Sequence, residues 1–275
     1  MRLVALLFLL LFSCHNNNSQ PPQKLPARPA QNQRQQRIPG QRVIHVFVAL
    51  CDNRYQGIVP VPEKIGNGQD PVNNLYWGCG YGVKTFFSKS KEWVLQKNVN
   101  SKIEKPVLER CVYKSSTTNT WLIADAYDGQ FIKACTENFL SGCSGSNYDS
   151  VMLKDGTKIF AGGAADLLAY TGHDGLMDFK LNTSFSATDS LKREAVILAC
   201  ISKSYFSPIL KQTGAQPVLW STGLMAPEAY VLHDALSAWI KKEPVENMRT
   251  AAAAAYSHYQ KCSVKAARNL LVAGW

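Results

Sequence analysis

Several stretches of this chain are apolar without alternation: Ile44-His45-Val46-Phe47-Val48-Ala49-Leu50, Trp121-Leu122-Ile123-Ala124-Asp125-Ala126, Ala195-Val196-Ile197-Leu198-Ala199 and Pro217-Val218-Leu219-Trp220. A strand that faces water on one side alternates apolar and polar residues, whereas one buried on both faces does not. Between these runs lie segments that read as helices: Leu75 to Lys91, Asp128 to Leu140, Tyr205 to Gln212, Pro227 to Lys241, Val245 to Gln260 and Val264 to Val272. A further strand is expected near Ile103 to Lys114, and a short hairpin over Ser150 to Phe160 turning at Asp155-Gly156. Buried strands alternating with helices predict an α/β fold with a mostly parallel sheet covered by helices on both faces. Residues 43–275, a stretch of 233, suit one such domain, and no internal repeat interrupts it.

The amino-terminal end is of another kind. Arg2 is followed by an apolar run from Leu3 to Phe12, too short to span a bilayer and suited to an export signal. Residues 1–14 end in Leu11-Phe12-Ser13-Cys14, which resembles the lipobox of bacterial lipoproteins. That resemblance implies lipidation at Cys14 and a membrane-anchored protein of the cell envelope, periplasmic or surface-facing. Residues 15–42 are rich in Gln, Asn and Pro and carry no acidic side chain, so they read as a disordered tether. Arg2, Lys24, Arg28, Arg34, Arg37 and Arg42 hold six of the net +10, which leaves +4 for the rest. The basic character thus belongs mainly to the tether. It suits anionic headgroups and gives no reason to expect nucleic-acid binding.

Two of the strand-like runs end on residues capable of covalent chemistry. Leu167-Leu168-Ala169-Tyr170-Thr171-Gly172 leads into His173-Asp174-Gly175, and Val196-Ile197-Leu198-Ala199 leads into Cys200. In parallel sheets, reactive groups gather where the carboxyl ends of strands meet their loops. If the two strands are neighbours, an imidazole stands beside a thiol, the pairing a cysteine nucleophile needs. The amides of Gly175 and Cys200 are then candidate donors to an oxyanion. Asp52, Asn53 and Arg54 follow the first strand's carboxyl end and are weaker candidates for substrate contact, as is Asp174. Turn formation explains Asp52 and Asn53 equally well.

Tyr-Thr-Gly-His173-Asp-Gly and Val-Ile-Leu-Ala-Cys200-Ile-Ser together resemble the histidine and nucleophile motifs of the caspase-like (clan CD) cysteine peptidases. Leu219-Trp220-Ser221 with Ala226-Pro227-Glu228 resembles the strand and helix that follow the nucleophile in CHAT-type members. The resemblance covers roughly residues 43 to 242 and implies a three-layer sandwich, His173 as general base, Cys200 as nucleophile and a peptide or protein substrate. It implies no cofactor. Two features depart from the pattern. Asp174 separates the histidine from its glycine, and only twenty-seven positions part His173 from Cys200, so residues 180 to 192 must form a loop or hairpin. A catalytically inactive relative, serving as a binding or scaffolding module, is the other reading.

Other motifs point elsewhere with less force. Seven cysteines follow Cys14, an odd number that leaves at least one thiol free, with Cys200 the candidate. Cys51 with Cys79 and Cys135 with Cys143 are the pairings considered, and full reduction is the alternative. No CxxC or paired Cys/His spacing suggests zinc. Gly78-Cys79-Gly80-Tyr81-Gly82 lacks the lysine of a phosphate loop, which favours close packing or a substrate-facing loop.

Overall fold

The computed structural model describes residues 37–100 and 106–275. The expected signal segment, its Cys14 and nearly all of the expected tether lie outside the described residues. The first strand, β1 (Arg42–Ala49), is the axis of the sheet and is buried along almost its whole length. It pairs in parallel with β4 (Thr120–Tyr127) on one side and with β7 (Leu167–Gly172) on the other. The parallel set continues through β8 (Glu194–Leu198) to β9 (Gln216–Ser221). Beyond β4 lie the antiparallel strands β3 (Val107–Ser115) and β2 (Trp93–Asn100), and beyond β9 the two-residue antiparallel strand β10 (Leu271–Val272). The protein is therefore α/β, with a mixed, mostly parallel sheet of eight strands.

A strand's side chains alternate between faces, and here both faces are apolar. On one, Ile44, Val46 and Val48 of β1 join Leu122, Ala124, Leu167, Ala169, Val196 and Leu198. This face packs against α1 (Val83–Lys89), α4 (Ala229–Ile240), α5 (Val245–Gln260) and α6 (Val264–Leu270). On the other, Val43, Phe47 and Ala49 join Ile123, Leu168, Tyr170, Ala195 and Ile197 under α2 (Ile132–Ser144) and α3 (Ser202–Thr213). A hairpin of β5 (Tyr148–Met152) and β6 (Lys158–Gly162) completes this second layer. In the alanine run, Ala252, Ala253 and Ala255 are buried, so small side chains let α5 approach the core closely.

Several elements differ from their sequence-based expectation. The helix expected over residues 75–91 is confined to α1. Ahead of it, the buried Asn74 side chain bonds the backbone of Cys51 at both N (3.1 Å) and O (2.8 Å), holding a run of turns where a helix would otherwise begin. The helix expected to start at Pro227 begins at Ala229 with Glu228 as its cap, which places Pro227 just outside it. The segment expected to be helical to Val272 leaves the helix at Leu271 to pair with β9.

All seven described cysteines are free. Cys135 and Cys143 lie on the same helix eight positions apart, a rise of about 12 Å. That exceeds the span of a disulfide. Cys79 turns its thiol to the Asn73 carbonyl at 3.0 Å, away from any pairing with Cys51.

Candidate functional site

The β7 and β8 strands are neighbours, and their ladder ends at Thr171 opposite Leu198. His173 and Cys200 each lie two residues past that last pair. The twenty-seven positions between them thus equal the register offset of the ladder. Residues 180 to 192 form no helix or strand, as so short a connection requires. Adjacent strands run about 4.8 Å apart, so the backbones of the two residues emerge side by side at the carboxyl end of the sheet.

Each is aimed by its local backbone. Gly172 has φ +140, and a Cβ there would stand 2.5 Å from the Ala49 carbonyl oxygen of β1. Only glycine accepts both constraints, so this position turns the chain toward His173. The buried Tyr170 hydroxyl then donates to the His173 carbonyl at 2.8 Å. On the other strand, Ile201 has φ 51 and ψ 28, a left-handed conformation that β-branched residues avoid at a cost of about 1–3 kcal/mol. It is held there by its amide on the Gly223 carbonyl (2.8 Å) and by two buried serines. The Ser202 amide donates to Ser221 Oγ at 3.1 Å, and the Ser221 amide donates to Ser202 Oγ at 3.0 Å. This clip between the start of α3 and the end of β9 fixes a tight strand-to-helix turn that carries Cys200.

His173 is buried, and its Nε2 lies 2.7 Å from Asp178 Oδ2. Asp178 also accepts the Gly57 amide at 2.9 Å. A carboxylate at Nε2 assigns the ring proton to that nitrogen and leaves the Nδ1 lone pair as a proton acceptor. No protein group bonds Nδ1 among the described residues. Asp178 reaches this position because the 3-10 turn Gly175–Met177 reverses the chain. The Asp174 side chain caps that turn through the Leu176 amide.

The Cys200 thiol rests on the backbone of Met225, its sulfur 3.4 Å from the amide nitrogen and 3.5 Å from the carbonyl oxygen. Burial pushes this thiol up from its ordinary range, the Met225 amide opposes that, and the charge of Asp174 adds to it. In this arrangement Cys200 is a thiol, and no hydrogen bond joins it to His173. Among the seven described cysteines, Cys79, Cys200 and Cys262 are only half-buried and the other four are fully buried. Neither the Cys200 amide nor the Gly175 amide has a hydrogen-bond partner among the described residues.

The weaker candidates are placed differently. Asp52 is buried, and its carboxylate accepts the amides of Arg54 (2.8 Å), Tyr55 (3.1 Å) and Gly68 (3.2 Å). The Asn53 side chain bonds both N and O of Val61. Both residues are occupied in building the loop after β1, while Arg54 is exposed with its guanidinium over the Tyr55 ring. Asp174 is fully buried. In the glycine-rich segment, a Cβ at Gly78 would meet the Val72 carbonyl oxygen at 2.0 Å, so close packing accounts for that glycine.

Sequence reasoning missed Asp178, the Met225 backbone and the Ile201 turn. Asp178 stands five residues beyond His173, a weak signal readable only once the intervening turn is known. His45 lies buried inside β1, and its surroundings give it a structural role. His45, Asp125 and Asp149 bring their ligand atoms within 4.8 Å of one another, but Arg110 bonds both carboxylates at 2.5 Å. The Gly162 amide donates to His45 Nδ1 at 3.0 Å, and His45 Nε2 bonds Asp125 at 2.9 Å. The guanidinium already supplies the cation for this cluster, which ties the β5–β6 hairpin to the sheet.

No protein-family model, curated protein or solved structure matches this chain.

Proposed function

We propose that this protein is an exported, membrane-tethered cysteine hydrolase of the peptidase class, with Cys200 as nucleophile and His173 as general base. The observation that carries the reading is the pairing at the ends of β7 and β8. A half-buried free thiol and an imidazole stand at matched positions, and a carboxylate on the imidazole's far nitrogen leaves its Nδ1 open. Asp178 adds the orienting third member that such dyads use.

The steps follow from these groups. His173 Nδ1 takes the Cys200 proton, and the thiolate sulfur attacks the substrate carbonyl carbon. The resulting oxyanion accepts hydrogen bonds from the Gly175 and Cys200 amides. The imidazolium returns its proton to the departing amine, leaving an acyl thioester. Water, deprotonated by His173, then releases the acid and restores the thiol. Entry into this cycle requires the Cys200 thiol to leave the Met225 backbone. The membrane tether, through a lipid on Cys14, belongs to the same proposal.

A second reading has an observation of its own. The thiol is engaged by Met225 and shifted toward its protonated form, as a binding module with an idle cysteine would have it. Purified wild type and Cys200→Ala, incubated with a peptide library and followed by mass spectrometry, separate the two. The hydrolase reading expects cleavage products from wild type that vanish in Cys200→Ala and in His173→Ala. Equal product profiles from wild type and Cys200→Ala would overturn it.

A further inference from the structure

Asp174 takes no part in the steps above, yet it is fully buried within the candidate site. Its Oδ1 accepts the Leu176 amide at 3.0 Å, while its Oδ2 is a buried oxygen with no hydrogen-bond partner. A carboxylate left in this state would be costly, since a buried charge needs a counterion or several donors. No cation is among the groups that act on Asp174, and its one charged neighbour there is the carboxylate of Asp178. The other titratable groups that feel it are Cys200 and Tyr170, on the two adjoining strands or their ends. His173 precedes it in the chain and turns its Nε2 to Asp178.

We propose that Asp174 is held as a neutral carboxylic acid beside the Cys200 thiol and acts as a positioning residue for it: protonated, it leaves the thiol free to ionise, and ionised, it suppresses the thiolate. This rests on the reading of Cys200 as the reactive group. A neutral acid makes the unpartnered Oδ2 far less costly, since it then carries a proton instead of an unsolvated charge. Burial, only partly opposed by the Leu176 amide and reinforced by Asp178, pushes this carboxyl up to about 7. The group therefore changes charge near neutrality, where a cysteine hydrolase works. Two negative charges within the same buried site oppose each other strongly enough to move a thiol by about one pKa unit, or roughly tenfold in thiolate.

Iodoacetamide alkylation of the full chain tests this without any substrate, with Cys200 distinguished from the other thiols by peptide mass spectrometry. Asp174→Asn keeps the shape and the acceptor for Leu176 but cannot ionise. Wild type and variant should alkylate at Cys200 at equal rates near pH 5.5, and the variant roughly tenfold faster near pH 8.5. A rate ratio that stays constant with pH overturns the role of Asp174 and leaves the nucleophile reading intact. Absence of Cys200 alkylation in both proteins at every pH overturns both. If the variant fails to fold, wild type alone decides through its infrared difference spectrum across the same pH range. Loss of a protonated-carboxyl band near neutrality is expected, and a spectrum without that band overturns the proposal.

Discussion

Asp174 makes a second, thermodynamic demand that does not involve reactivity. Its carboxyl lies near its ordinary 3.8 in the unfolded chain and, raised chiefly by burial, at about 7 in the folded one. Below pH 4 both states hold the proton and Asp174 adds no penalty. Between about 4 and 7 the unfolded chain releases the proton while the folded chain keeps it, so stability falls as pH rises. Above 7 the loss is complete at about 4 kcal/mol, from three pKa units at 1.36 kcal/mol each. That is a large share of the 5–15 kcal/mol typical of a domain. Asp174→Asn should therefore match wild type near pH 4 and exceed it by several kcal/mol near pH 8. In urea titrations this difference appears as a midpoint higher by about 1–2 M at pH 8 only. Parallel midpoints across the pH range, or a variant weaker than wild type at pH 8, would refute the reasoning. The result has a bearing on function, since a residue that costs the fold this much at working pH needs a reason to be kept.

Two further outcomes follow from the hydrogen-bond geometry. Asp178→Ala frees the His173 ring, and kcat/KM on any peptide cleaved by wild type should fall about 10²- to 10⁴-fold. The ring's nitrogen shifts, read by NMR, should at the same time lose the uniform Nε2–H signature; activity within threefold of wild type would sink the orienting role. Arg110→Met strands the buried Asp125 with His45 alone and should cost about 3–5 kcal/mol in urea unfolding at pH 7. In wild type, burial pushes Asp125 up but Arg110 and His45 bring it down to about 2, so this contribution is present above pH 4 and lost as pH falls toward 2. A variant within 1 kcal/mol of wild type would mean the network contributes little.

How much of this was legible depended on burial. β1, β4, β8 and β9 announced themselves because strands covered on both faces leave unbroken apolar runs. The hairpin did so through Asp155-Gly156, where Gly156 has φ +84. β2 gave no such sign: it is an edge strand, paired only with β3, and it exposes Val94 and Leu95. The helix expected from Leu75 shrank because Asn74, a single side chain, satisfies backbone groups twenty-three positions away. The His173–Cys200 pairing was readable because strand ends obey a rule and the interval between them equals a parallel register. What surrounds the pair obeys no local rule. Ile201 adopts a conformation its type disfavours, Asp174 is buried where an aspartate in a glycine turn reads as exposed, and Met225 acts through its backbone, which has no residue signature. Around Cys200, sequence and structure part company at the serine clip, at the strained isoleucine and, on the neighbouring strand end, at the uncompensated acid. Local choices that conflict with the fold are expected to concentrate where function sets the terms. Ile201 and Asp174, two such choices, flank one half-buried thiol, which is an argument for that thiol beyond the motif.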